Sequence, residues 1–515
     1  MNTDLLYQDY LKVSMELLVV PVSQAEAPFI LALDVGSSSL RAVLFDRWGR
    51  SVEGVEARRP HVLTFGSDGE ASADPDALVD LLADCIDSAL FAAGPLAAGI
   101  AAVAGCSLAG TLLGVDETGC PVTPLITYAD TRAASEAAAL RAELDEPYFH
   151  QRTGTRFHPS YWPAQLRWLQ RNRPELFSQV ARWMTWGEYL ETRLFGQGAT
   201  SLSAASWSGL LHRERVDWDP QLVAALPVTS AQLPQLVDLS TPRRGLCREF
   251  ALRWPALRDA PWFPMIGDGA AANIGSGCTS PGRVALTVGT TTALRAVVTD
   301  PTIPLPNGLW CYRVDSRRLL PGGALTEGGG VFAWLRQTLR LGESAQLETT
   351  LARGEPDAHG LTVLPFFAGE RSPGWDGDAR ASIHGLSLAT TPEDILRAGL
   401  EAVALRITLV YNELRGFLPA EPQVIAGGGA LLSSPAWQQI IADALGVPIA
   451  ISAISEASAR GAALLALEAM GVLPDAGQTP DGVGATVMPN LEHHRRYQGA
   501  LERQQRLYAQ LAADR

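Results

Sequence analysis

A chain of 515 residues is longer than a single hydrophobic core usually serves, so about two domains are expected. Apolar residues make up 47% of it and the formal net charge is -14, which provides ample core and argues against nucleic acid or an anionic membrane as a partner; an anionic substrate would need local arginines or backbone N–H groups. Cys85, Cys106, Cys120, Cys247, Cys278 and Cys311 lie far apart with no Cys-x-x-Cys spacing, which argues against a zinc site or a disulfide framework and suits a reducing cytoplasm.

Residues 1–27 read as an extension. Leu17 to Val22 followed by Ala25-Glu26-Ala27 has the outline of a secretory leader, but the apolar stretch is short and contains Pro21, Glu16 precedes it, and Lys12 is the only basic residue before it. An unstructured extension fits these features better. No apolar run approaches the ~20 residues of a membrane span. From Ala27 the pattern is strand, glycine turn, strand (Leu40 to Phe45), a turn at Asp46 to Gly49, and a third strand through about Arg58, an antiparallel meander. After Asp74-Pro75, Leu78, Leu81, Leu82, Ile86 and Leu90 recur with helical spacing to about Ala93. Ile100 to Cys106 is a buried strand, and Trp162 to Leu169 and Ala181 to Leu194 read as helices ending before Pro174 and Gly196.

Trp262 to Gly267 reads as a strand, with a small-residue helix opening at Asp268. The strand-turn-strand theme restarts at Arg283. Residues 337–357 are polar and partly helical, Ala358 to Phe367 leads into a strand, and Glu393 to Phe417 is a long helix. Val424 to Gly429 is a strand with a glycine turn, followed by a helix from Ser434 to Leu445, a strand from Val447 to Ile451 and a helix from Ala457 to Met470. A Pro/Gly-rich connector from Pro474 leads to a charged helical tail from Leu491.

Two distant runs read alike. Asp34-Val35-Gly36-Ser37-Ser38-Ser39-Leu40-Arg41 and Thr287-Val288-Gly289-Thr290-Thr291-Thr292-Ala293-Leu294-Arg295 each place hydroxyl residues in a glycine turn after an apolar strand. Such turns present N–H and hydroxyl groups to phosphate oxygens, and a carboxylate at Asp34 can hold Mg²⁺ directly or through water. No GxxxxGK[ST] motif is present. Asp268 is either a helix N-cap or, between two phosphate turns, the carboxylate that accepts a proton from an attacking hydroxyl. Gly427-Gly428-Gly429 leaves room for a flat base or a phosphate, and the helix N-terminus at Ser433-Ser434-Pro435 has a geometry suited to anions.

Asp34 to Ser39, Gly267 to Gly275, Thr287 to Thr291 and Ala426 to Ala430, in that order, resemble the FGGY carbohydrate kinases from about Pro28 to Val472. The resemblance implies an α/β fold of two ribonuclease-H-like lobes, of the actin and hexokinase ATPase type, with a central cleft. It implies residues 28–277 as the sugar-binding lobe, 278–473 as the ATP-binding lobe and 474–515 as a helical tail. It also implies ATP and Mg²⁺ as cofactors, Asp268 as general base, Asp34 near the metal, and Gly36 to Ser39, Gly289 to Thr292, Gly329, Gly330 and Gly427 to Gly429 around the nucleotide.

Within the family, Ile126 to Ala133, Thr153 to Pro159, Trp310 to Tyr312, Pro321 to Gly330 and Leu364 to Trp375 are most similar to gluconate kinases. That similarity implies Tyr128, Asp130, Arg132 and His158 on or near the sugar side, although Tyr128 could be core, Asp130 and Arg132 a structural pair, His158 a turn cap, and Glu370 with Arg371 a buried ion pair. Leu108-Ala109-Gly110-Thr111 replaces the Met-His often seen in the family's sugar loop, Gln165 stands where a Lys is common, and Thr200 to Ser203 lacks a common Asp. The expected activity is ATP-dependent phosphorylation of a small sugar or sugar acid, gluconate first, at a terminal hydroxyl. The rivals are a xylulose, ribulose or other polyol kinase and an actin-like ATPase without sugar transfer. The sequence leaves homo-oligomerisation open.

Overall fold

Between Phe29 and Val35 every residue except Asp34 is apolar, and all seven are buried, as a strand covered on both faces requires. The computed structural model describes residues 18–480 and 482–513 and places this strand inside a six-stranded sheet. Its members are β1 (Val19–Val20), β2 (Phe29–Val35), β3 (Ser39–Phe45), β4 (Ser51–Pro60), β5 (Ile100–Ser107) and β6 (Ile266–Gly267), in the order β1-β4-β3-β2-β5-β6. A second, seven-stranded sheet contains β7 (Arg283–Val288), β8 (Thr292–Ala296), β9 (Trp310–Arg313), β10 (Leu319–Leu325), β11 (Gln423–Gly427), β12 (Ile449–Ser452) and β13 (Val483–Val487), in the order β9-β10-β8-β7-β11-β12-β13.

The two sheets share one plan. In the first, β4, β3 and β2 pair antiparallel, and β2, β5 and β6 pair parallel. In the second, β10, β8 and β7 are antiparallel, and β7, β11 and β12 are parallel. Parallel neighbours need crossover helices. One is α1 (Pro75–Ala93), started by the Asp74 side chain accepting from the Asp76 and Ala77 N–H groups, whereas α2 (Asp268–Gly275) follows β6 and leads from the first sheet to the second. The second lobe adds α3 (Gly329–Thr338), α4 (Pro392–Leu414), α5 (Pro435–Leu445), α6 (Ala457–Ala469) and α7 (Leu491–Ala513). Among the described residues, no helix is long and apolar enough to cross a membrane.

Helix α6 joins the lobes. It packs on α2, β2 and β5 of the first lobe, and the approach is close because glycines face each other. A Cβ on Gly275 would lie 1.8 Å from the Ala457 carbonyl oxygen, and one on Gly461 would lie 1.9 Å from that of Ala271. The small residues after Asp268 therefore admit a second helix.

Four expectations change. The segment Ala181 to Leu194 is a strand, Arg182–Met184, followed by a helix, Trp186–Phe195, because the Thr185 hydroxyl accepts from the Glu188 N–H and starts the helix there. The strand expected from Trp262 to Gly267 is interrupted: Trp262 bridges Val103 of β5 and Ile266–Gly267 pairs further along the same strand, while Pro264 between them carries no N–H to donate. In the extension, Val19–Val20 pairs in parallel with Ser51–Val52, so that part is ordered, while the reading of residues 1–17 lies outside the described residues. The connector after Pro474 contains β13, and Tyr497 and Gln504 of the tail are buried against the second lobe.

Candidate active site

Each repeat makes a tight turn at the end of a central strand. The Gly36 N–H donates to the Ser39 carbonyl at 3.1 Å and the Gly289 N–H donates to that of Thr291 at 2.9 Å, leaving Ser37, Ser38, Thr290 and Thr291 exposed at the tips. Ser39 and Thr292, third of the hydroxyls in each run, have buried Oγ atoms with no hydrogen-bond partner. The shared Leu-Arg-Ala-Val lies one residue further from the glycine in the second run, and the second turn is one residue shorter: Val35 pairs with Leu40, whereas Val288 pairs with Thr292.

The other glycines close around the second turn. Gly329 N–H donates to Gly289 at 2.7 Å and Gly330 N–H to Thr290 at 3.0 Å, so both amides are used in shaping the turn. Gly428 has φ +98°, and a Cβ there would sit 2.4 Å from the Val288 carbonyl oxygen, a position only glycine fills without strain. Gly427 ends β11, and Gly429 opens a short helix, Gly429–Leu432. Beside it, Phe332, Arg336, Ala430, Ser433, Ser434 and Trp437 help to line a cavity of about 430 Å³. The N-terminus of α5, expected to suit an anion, is already capped: the Glu348 carboxylate accepts from Ser434 Oγ at 2.8 Å and from the Ala436 N–H at 2.6 Å.

Between the lobes lies a cavity of about 150 Å³ lined by Ala109, Gly110, Tyr128, Ser160, Tyr161, Trp207 and Asp268 of the first lobe and by Thr291, Thr292, Ala293, Arg295, Trp310, Tyr312, Ala324 and Arg371 of the second. Asp268 is the first residue of α2, and the cap position belongs to Gly267 without a side-chain cap; the carboxylate accepts from the Gly269 N–H at 2.8 Å. Burial, and next the charge of Asp34, push its pKa up to about 6. A general base that titrates just below neutrality is well matched to accepting a proton at physiological pH.

Asp34 is 4% exposed. Its Oδ2 lies 3.2 Å from Arg41 Nη1 and its Oδ1 accepts from the Cys106 thiol at 3.3 Å. Burial raises its pKa against the pull of Arg41. Two neighbouring carboxylates that both hold protons more tightly than usual fit a hard cation. Mg²⁺ is an ion that takes one or two carboxylates and completes its shell with water and phosphate oxygens; among the described residues no group of three or more His, Cys, Asp or Glu could hold a metal.

Of the residues expected on the sugar side, Tyr128 lines the cavity, and its hydroxyl neighbours the Ser37 side chain. Asp130, Arg132 and His158 stand behind the wall. Asp130 and Arg132 form an ion pair at 2.7 Å, the Ala71 N–H donates to Asp130, and the Arg132 guanidinium lies over Trp168. His158 Nδ1 contacts Ser160 Oγ at 2.9 Å, its ring meets Tyr161 and Trp375 edge-on, and burial lowers its pKa to about 3; it positions the Ser160 and Tyr161 that reach the cavity.

Arg371 does not pair with Glu370. The Glu370 carboxylate accepts from Arg406, from Tyr508 Oη at 2.6 Å and from the Gly374 N–H at 3.1 Å, while Arg371 faces the cavity. Arg295, Trp207, Trp310 and Tyr312 were not singled out as site residues by sequence, although Arg295 stands inside the quoted repeat. Trp207 stacks on Tyr312 at 3.7 Å, and Tyr312 shares a 2.6 Å hydroxyl contact with Tyr161. The departures from family pattern also have places. Ala109 and Gly110 offer the cavity no long side chain, Ser201 Oγ donates to the Met265 carbonyl at 2.6 Å, Ser203 Oγ accepts from the Gly267 N–H at 3.2 Å, and both amide atoms of buried Gln165 lack partners.

Two lobes of matching sheet plan, each with a hydroxyl-rich turn at a shared cleft, define an ATPase fold of the actin and hexokinase type. Residues 29–275 match the N-terminal domain and residues 284–470 the C-terminal domain of the FGGY family of carbohydrate kinases; the chain belongs to that family and is an ATP-using phosphotransferase acting on sugar hydroxyls. It is 26% identical over 476 residues to a gluconokinase of Bacillus subtilis (strain 168), covering 89% of this chain and 91% of that protein. It is 32% identical over 465 residues to a glycerol kinase of Alkalilimnicola ehrlichii, covering 86% and 90%. Among solved structures, a gluconate kinase from Lactobacillus acidophilus matches with a TM-score of 0.85 at 27% identity over 94% of this chain and 98% of that one. A ligand-bound xylulose kinase from the same organism matches with a TM-score of 0.86 at 27% identity over the same shares.

Proposed function

We propose that this kinase phosphorylates a terminal hydroxyl of a small open-chain sugar acid, with gluconate the favoured substrate, and that Asp268 is its general base. The observation that carries the reading is the Asp268 carboxylate, pushed up to about 6, in the wall of an interlobe cavity that also contains Thr291 and Thr292. The substrate hydroxyl oxygen attacks the γ-phosphorus, the bond from that phosphorus to the β-bridging oxygen breaks, ADP leaves, and Asp268 takes the hydroxyl proton. Tyr128 borders the sugar, while Asp130, Arg132 and His158 set the wall behind it.

Gly36 to Ser39 and Gly289 to Thr292 meet the phosphates from the two lobes, with the unpartnered hydroxyls of Ser39 and Thr292 as candidate donors to phosphate oxygens. Gly329 and Gly330 hold the second turn in shape, and Gly427 to Gly429 border the nucleotide, whose base fits the cavity beside Phe332 and Ala430. Asp34 would hold Mg²⁺, which when bound neutralises charge on the transferring phosphates. Closing the lobes excludes water and so protects ATP from hydrolysis.

Similarity to gluconate kinases supports an acid substrate. The Ala109-Gly110 loop and the equal likeness to a xylulose kinase support a pentulose or polyol kinase as the second reading. A coupled ADP-release assay with gluconate, xylulose, ribulose, glycerol and no sugar separates them: gluconate is expected to give the highest kcat/KM. Preference for a neutral sugar would favour the second reading, and ADP release that no sugar increases would favour an actin-like ATPase.

A further inference from the structure

Arg295 and Arg371 are the cations in the cavity around Asp268, and both have a buried Nε with no hydrogen-bond acceptor. Among the described residues neither has a carboxylate within ion-pair distance, because Glu370, next to Arg371 in the chain, is committed to Arg406 and Tyr508. Two more residues of the same wall, Trp207 and Trp310, have buried indole N–H groups that are likewise unmet. Those four N–H groups are themselves sealed from solvent, but two permanently charged guanidinium groups in a cavity wall, neither held by a carboxylate, suit a negatively charged ligand.

The two arginines occupy different ends. Arg295 reaches over Gly269, where an added Cβ would meet its Nη2 at 3.3 Å, so it stands beside Asp268. Arg371 lies over the Trp375 ring, 5.9 Å from its centroid, and that ring meets His158 edge-on, so it stands on the His158 side, near enough to Arg295 for each to feel the other's charge. A substrate carboxylate is repelled by Asp268 and drawn to that side. Building on the phosphotransfer reading, we infer that Arg371, backed by Arg295, binds the substrate's carboxylate, so that a sugar acid bridges the lobes with its hydroxyl end on Asp268 and its acid end on the second lobe.

The test compares initial rates of the wild type, Arg371→Met, Arg371→Lys and Arg295→Met with gluconate and with glucitol, its neutral counterpart, alongside calorimetric titration with gluconate. The wild type is expected to prefer gluconate. Arg371→Met should raise the gluconate KM and cut the gluconate-to-glucitol ratio of kcat/KM by about tenfold to a hundredfold. Lys should keep part of the preference, since it offers the charge without the fork, and Arg295→Met should lower the ratio less. Loss of both rates in equal proportion would overturn the inference and assign the arginines to the transferring phosphoryl group, and so would a wild type that turns over neutral sugars without preferring the acid. Absence of any sugar-dependent turnover would instead bring down the phosphotransfer reading. If Arg371→Met fails to fold, Arg371→Lys and Arg295→Met carry the comparison.

Discussion

Asp34 and Asp268 arrive at the cleft from a strand end and a helix start more than two hundred positions apart in the chain, and the charge of the first is one reason the second titrates near 6. The base must be ionised to take a proton, so kcat/KM should rise with pH through about 6 and level off above it. Asp34→Asn removes a negative charge beside Asp268, so the acid limb of that profile should move below 6 while the rate at the plateau falls. A limb that stays in place or moves upward would show that the two groups do not interact. At this scale the sequence made the carboxylates and hydroxyls legible, because their types and their positions after strands carry the chemistry. Arg371 was not legible: adjacency to Glu370 suggested a pair, but the fold commits Glu370 to Arg406 and Tyr508 and leaves Arg371 to the cavity.

Among elements, the crossing of α2 and α6 fixes where Asp268 stands relative to the second lobe. Gly461→Ala would drive a Cβ to within 1.9 Å of the Ala271 carbonyl oxygen, and the helices would have to part. The expected cost is about 1–3 kcal/mol, seen as a lower thermal midpoint together with a lower kcat. Alanine at Gly416, where no atom lies within 4 Å of an added Cβ, should leave both unchanged; equal midpoints for the two variants would show that the crossing tolerates separation. Gly428→Ala, at φ +98° and against the Val288 backbone, should likewise lower the midpoint and also weaken ATP binding. The glycine hairpins and long periodic helices could be read from sequence because a period and a breaker define each. Short strands such as Arg182–Met184 and Val483–Val487 could not, since three to five residues hold no period and only their partners identify them.

Across the whole molecule the duplicated sheet plan explains why one short run occurs twice: each lobe brings the same turn to the cleft, one following Asp34 and the other leading to Arg295. The net charge of -14 makes the placement of two arginines in the cavity wall a local choice against the general field. The two-lobed fold was legible from the order of the motifs. The composition of the cavity was not, because Trp207, Trp310, Tyr312 and Arg371 converge only through the packing of one lobe on the other. The central claim is that Asp268 takes the proton during transfer. It is tested most directly by measuring gluconate-dependent ADP release by Asp268→Asn, with ADP affinity measured by calorimetry on the same protein. Turnover should fall by about 10²–10⁴-fold with nucleotide affinity nearly unchanged, and turnover within about threefold of the wild type would contradict the account.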